Sequence, residues 1–133
     1  MTITTFDLRF KEPNKEPVMD MPAMHTIEHL GATFLRSHAD WSRKVVYFGP
    51  MGCRTGFYLI FEGDHKPTDI IPLLIELLEW VENFEGCIPG ASAVECGNWR
   101  EQNIDMAKWE CRKYAALLRN PSKENLEYPS DIT

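Results

Sequence analysis

A chain of 133 residues has room for one hydrophobic core and excludes a separate substrate domain beside it. A net charge of −6, with no basic cluster longer than Arg43-Lys44 or Arg112-Lys113, excludes the electrostatic footprint of a nucleic-acid partner. No apolar run reaches the ~20 residues that a bilayer requires and no secretory leader opens the chain, so the expectation is a cytoplasmic protein without a membrane partner.

Residues 3–10 alternate, with Phe6, Leu8 and Phe10 on one side and Thr5, Asp7 and Arg9 on the other. This predicts a strand that presents Arg9 on its polar face. Pro13, Asn14 and Pro17 mark residues 11–20 as a loop. Asp20 then offers an N-cap and Pro22 suits a first turn, and apolar positions through Leu30, Phe34 and Leu35 carry a helix to about Ser37. A short strand at 45–48, a turn at Gly49-Pro50 and an aromatic strand at 55–62 follow, which puts Cys53 at a strand entrance. Ile70, Leu73, Leu74, Leu77, Leu78 and Val81 fall at helical spacing and predict a core helix that stops by Gly86. A third short strand is expected at 91–96 after Pro89-Gly90. Asn103 caps a last helix that runs to about Leu118 and is ended by Asn120-Pro121.

Few strands, joined partly by turns, favour an α+β fold with an antiparallel sheet packed against helices over a doubly wound parallel sheet. One domain is expected over residues 1–120, with a mobile tail at 121–133.

The chemistry concentrates in His25-Thr26-Ile27-Glu28-His29. On a helix the two imidazoles lie one turn apart on the same face, where they can close on one divalent ion with the Glu28 carboxylate beside it. A third ligand is left open by this reading. The same spacing opens the inverted-motif metallopeptidases, in which the carboxylate activates a metal-bound water. The four cysteines, Cys53, Cys87, Cys96 and Cys111, read as thiols of a reducing compartment. Cys87 and Cys111 match no motif. His38 and His65 fall in or near loops and read as solvated side chains.

Three segments in order are far more specific than any one: His25 to Leu30, then Pro50-Met51-Gly52-Cys53-Arg54-Thr55-Gly56, then Glu95-Cys96-Gly97-Asn98. Together with Phe6-Asp7-Leu8-Arg9-Phe10 and Pro13-Asn14 they resemble the S-ribosylhomocysteine lyase (LuxS) family, over nearly the whole chain. The resemblance implies a LuxS-like metalloenzyme fold and a divalent iron, Fe2+, replaceable by Zn2+ or Co2+, held by His25, His29 and Cys96. It implies Cys53 and Glu28 as the two catalytic acid/base groups and Arg9 as a substrate-binding residue. The implied substrate is S-ribosylhomocysteine, converted to homocysteine and dihydroxypentanedione, the precursor of a bacterial signalling molecule. A homodimer with sites near its interface is implied as well.

Two departures from the family pattern stand out. The family carries a further N-terminal segment, with Ser-Phe and Asp-His-Thr elements, that reaches the partner's site, and the 133 residues begin after it. Tyr47 occupies a position where the family commonly has an acidic residue that helps hold the homocysteine end of the substrate. The expectation is weakened substrate positioning with the metal and proton-transfer groups intact. The alternative classes are an inverted-motif metallopeptidase and a non-catalytic metal-binding remnant of the lyase family.

Overall fold

The computed structural model of the protein describes residues 2–126. Its elements are β1 (Ile3–Arg9), α1 (Met21–Ser37), β2 (Val45–Pro50), β3 (Gly56–Glu62), α2 (Pro67–Glu82), α3 (Ile104–Arg119) and a final 3-10 turn (Lys123–Leu126). Among the described residues the strands form one antiparallel sheet in the order β1-β3-β2. This is the α+β arrangement that the strand and helix pattern predicts.

The alternation in β1 and β3 decides which face of the sheet is dry. Phe6 pairs with Leu59 and Leu8 with Phe57, and all four are buried. Their odd-numbered and even-numbered neighbours Asp7, Arg9 and Tyr58 turn to the other, more accessible face. Burying a side chain of this size is worth about 1.5–3 kcal/mol, so a one-residue slip of register would exchange the two faces at prohibitive cost. α2 and α3 pack on each other and supply much of the rest of the core, from Leu73, Leu77 and Val81 to Cys111, Ala115 and Leu118. α1 lies across the assembly, against α2, α3 and β2. Its approach to β2 is close enough that a Cβ on Gly31 would stand 2.5 Å from the Phe48 ring.

The helix starts follow their caps. Asp20 accepts from the Ala23 N–H at 3.1 Å and Asn103 accepts from the Met106 N–H at 3.1 Å. The two caps also meet, Asn103 Nδ2 donating to Asp20 Oδ2 at 3.2 Å. The first turn of α1 is thereby tied to the first turn of α3.

Two local expectations are corrected. Gly49-Pro50 is not a turn: both residues extend β2, opposite Tyr58 and Phe57. β2 is an edge strand, so the missing Pro50 N–H costs the ladder nothing. Residues 91–96 form no strand. Ala91, Glu95 and Cys96 donate their N–H groups to the nearby carbonyls of Ile88, Ser92 and Ser92, so the segment satisfies its own backbone as successive turns. Of the expected tail, residues 123–126 form the 3-10 turn and 127–133 lie outside the described residues.

Candidate metal centre

α1 buries Met24, Ile27, Leu30 and Leu35, which leaves His25, Glu28 and His29 on its half-buried flank. The two imidazoles converge there, with Nε2 to Nε2 at 2.9 Å. Cys96 arrives from the turn after Pro89-Gly90 and places Sγ 3.4 Å from His25 Nε2. The ligand atoms of the three residues all lie within 4.8 Å of one another. Among the described residues this is the one group of three or more His, Cys, Asp or Glu side chains with such geometry.

The opposite nitrogens decide how the rings are used. His25 Nδ1 lies 2.7 Å from the Glu101 carbonyl oxygen and His29 Nδ1 lies 2.8 Å from that of Pro89. A carbonyl only accepts, so each Nδ1 carries the proton and donates it. In neutral rings both Nε2 atoms are then lone pairs. Two acceptors at 2.9 Å repel, and a cation between them turns that repulsion into ligation. Backbone carbonyls behind the rings are the usual outer support of a metal-bound histidine. With a thiolate as third donor, the set fits a divalent first-row metal that binds N and S ligands at about 2.0–2.3 Å and keeps a coordination position open.

The supporting segment 101–103 is built around Thr26. Its hydroxyl donates to Gln102 Oε1 at 2.7 Å and accepts from the Asn103 N–H at 2.9 Å. Gly90 supports the other ring. Its φ of 74° lies in the left-handed region, and a Cβ there would stand 2.9 Å from His29 Nδ1. Gly90→Ala is therefore expected to keep the fold and to lower metal affinity by about 10–100-fold, the usual cost of disturbing an outer support. Competition with a chromophoric chelator measures it, and an unchanged dissociation constant would show that the His29 ring tolerates the push.

Cys53 belongs to a second group. The β2–β3 connection is closed by Met51 N–H to Gly56 O at 2.9 Å and Arg54 N–H to Met51 O at 3.0 Å. Arg54 adopts a φ of 62°, and its carbonyl is held by the Met19 N–H at 2.9 Å. This turn exposes the Cys53 thiol and buries Thr55 beneath it. Cys53 Sγ and Thr55 Oγ1 are 3.0 Å apart, and Arg9 Nη1 donates to the same Thr55 oxygen at 2.8 Å. Arg9 can reach it because β1 pairs Arg9 with Gly56, the residue after Thr55. The other edge of the guanidinium is bound by Asp7, with Nε to Oδ1 at 2.9 Å.

Hydrogen bonds from the Thr55 hydroxyl and backbone hold the Cys53 thiol below its ordinary range, and the Arg9 charge adds to this. Burial pushes the Cys111 thiol the opposite way, up, as expected of an inert core cysteine.

Of the residues singled out from the sequence, the fold thus joins His25, His29 and Cys96 in one cluster and Arg9 and Cys53 in another, linked by Thr55. Glu28 shares the helix flank with the histidines. His38 and His65 are used elsewhere: His38 Nε2 pairs with Glu76 at 3.1 Å and its Nδ1 accepts from the Asp40 N–H, while His65 Nε2 binds the Glu62 carbonyl at 2.9 Å. Sequence reasoning passed over Thr55, Gly90, Gln102 and the carbonyls of Pro89 and Glu101. Pro89-Gly90 was legible as a turn, and nothing in it announced a carbonyl aimed at a histidine.

A family model described as S-Ribosylhomocysteinase (LuxS) matches residues 1–125. The S-ribosylhomocysteine lyase of Desulfotalea psychrophila is 58% identical over 129 residues, covering 96% of this chain and 81% of the relative. That of Clostridium acetobutylicum is 54% identical over 129 residues, 97% of this chain and 82% of the relative. That of Borreliella burgdorferi is 55% identical over 126 residues, 95% of this chain and 80% of the relative. With motifs, metal-ligand geometry and nearly end-to-end similarity in agreement, the chain belongs to the S-ribosylhomocysteinase (LuxS) family.

Proposed function

We propose that the protein is a metal-dependent S-ribosylhomocysteine lyase that releases homocysteine and the dihydroxypentanedione precursor of a signalling molecule. The observation that carries the metal reading is the pair of Nε2 lone pairs facing each other at 2.9 Å with a thiol 3.4 Å away, each ring locked by a carbonyl behind it. His25, His29 and Cys96 would hold the ion, Fe2+ with Zn2+ or Co2+ as substitutes, and a bound divalent metal supplies polarisation of a sugar carbonyl. These ligand types suit any of the three metals.

The chain's own residues would then move protons. Next to a polarised carbonyl a C–H becomes acidic enough for a positioned base to remove it. Cys53, with its thiol held below the ordinary range, serves as one acid/base group, and Glu28 beside the ligands serves as the second. Arg9, anchored by Asp7 and Thr55, keeps N–H donors on the half-exposed edge of its guanidinium for substrate oxygens. The homodimer, the cytoplasmic location and a role in autoinducer synthesis belong to the same reading.

Protein loaded with Fe2+ is incubated with S-ribosylhomocysteine and the free thiol released is measured. Release that depends on the metal supports the lyase. A peptidase or a non-catalytic remnant releases none. In parallel, Cys96→Ser is expected to fall well below one ion per chain by elemental analysis, and full occupancy in that variant would show the third ligand to be misassigned.

A further inference from the structure

We infer that Thr55 is a positioning residue that relays the Arg9 charge to the Cys53 sulfur and selects the thiolate. The inference rests on the acid/base role of Cys53 given above. Its basis is geometric. Thr55 is 5% exposed, and its Oγ1 lies 2.8 Å from Arg9 Nη1, 3.0 Å from Cys53 Sγ and 3.9 Å from Met51 Sδ.

The direction of each hydrogen bond follows from the inventory of donors. A guanidinium only donates, so Thr55 Oγ1 accepts from Arg9 in every protonation state. The hydroxyl still has one proton and one lone pair. When Cys53 is a neutral thiol, it either donates its S–H to that lone pair, leaving the Thr55 proton to the weak thioether acceptor Met51, or accepts the Thr55 proton as a weak, uncharged acceptor. When Cys53 is a thiolate, the Thr55 proton turns to the sulfur, 3.0 Å away. A charge-assisted bond is about twice as strong as a neutral one, and a donor already polarised by a cation strengthens it further. The hydroxyl therefore makes its strongest set of bonds only with the ionised sulfur.

Arg9 from β1 is the cation that bears on the sulfur, and Asp7 and Tyr58 bear on Arg9 from the accessible face of the sheet. The β2–β3 turn is held to its neighbours by Met19 N–H to Arg54 O at 2.9 Å and Lys11 N–H to Thr55 O at 3.0 Å. Those backbone bonds do not need the Thr55 side chain. A substitution at the hydroxyl can thus remove the relay and keep the turn.

The test is the pH dependence of Cys53 alkylation by iodoacetamide in metal-loaded protein, followed by peptide mass spectrometry with exposed Cys87 as the internal reference. Thr55→Val, of similar shape without the hydroxyl, is expected to raise the Cys53 midpoint by about one pH unit, a tenfold smaller thiolate fraction below it. Thr55→Ser should restore the wild-type curve, and Cys87 should not move in either. Arg9→Gln, which removes the charge, should shift the midpoint up by a smaller amount and carries the test if the valine variant does not fold. Coincident curves for wild type and Thr55→Val, or for Arg9→Gln if that variant stands alone, overturn the relay. No lyase assay enters this readout, so a protein without turnover but with the shifted curve defeats the proposed reaction and keeps the relay.

Discussion

Glu28→Gln and Cys53→Ala are each expected to retain one divalent ion per chain and to lose turnover of S-ribosylhomocysteine by about 10²–10⁴-fold, the usual contribution of a positioned acid or base. Neither group belongs to the cluster of donor atoms that could hold the ion. That cluster comprises His25, His29 and Cys96, and the two imidazoles are oriented by the carbonyls of Glu101 and Pro89. Glu28 lies on the helix flank beside them, and Cys53 belongs to the Thr55–Arg9 group. Replacing Glu28 by its amide keeps size and removes the base. Replacing Cys53 leaves the turn standing on its backbone hydrogen bonds. Metal content by elemental analysis and thiol release on the same samples decide the matter. If Cys53→Ala kept its rate while Glu28→Gln lost it, a single carboxylate would be moving both protons. Loss of metal from either variant would mean that the ligand set extends beyond the triad.

Lys11→Met is expected to lower stability by about 3–5 kcal/mol, the cost of leaving one partner of a buried ion pair alone. Lys11 Nζ and Glu110 Oε1 are 2.8 Å apart, with side chains 7% and 3% exposed. Glu110 Oε1 meets the ammonium as an ion pair, and among the described residues that oxygen has no hydrogen-bond partner. The ammonium also lies 5.0 Å from the centre of the Trp109 ring. This pair joins the end of β1 to α3, close to where the Lys11 N–H holds the Thr55 carbonyl. For a domain of this size the loss corresponds to a melting temperature lower by about 10–20 °C. The double variant Lys11→Met with Glu110→Leu should recover most of it, since two well-packed apolar groups replace a buried pair at little net cost. A melting temperature unchanged in Lys11→Met would show that water reaches Glu110.

The sequence by itself determined whatever depends on neighbours along the chain. Alternation in residues 3–10 predicted a strand and its dry face, because a period of two leaves one side to be buried, and aromatic and β-branched residues predicted the strand at 55–62. Asp20 and Asn103 marked helix starts, because a short polar side chain there satisfies N–H groups that the helix cannot. Helical spacing put His25 and His29 on one face before any fold was known. The order of three short motifs placed the chain in its family.

Only the tertiary structure decided what meets across long separations and which backbone groups point at a side chain. Cys96 reaches His25 over 71 positions, from a segment read as a strand that instead closes on itself in turns. Gly49-Pro50 reads as a turn locally, but at a sheet edge the proline has no hydrogen bond to lose, so pairing with Tyr58 and Phe57 prevailed. The carbonyls that set the histidine tautomers belong to Pro89 and Glu101, and since every residue carries a carbonyl, residue type gives no sign of where one is aimed. Thr55 looked like the first residue of a hydrophobic strand. It became the link between Arg9 and Cys53 only because the β1–β3 register sets Arg9 opposite Gly56, and register is a property of two strands that neither states alone.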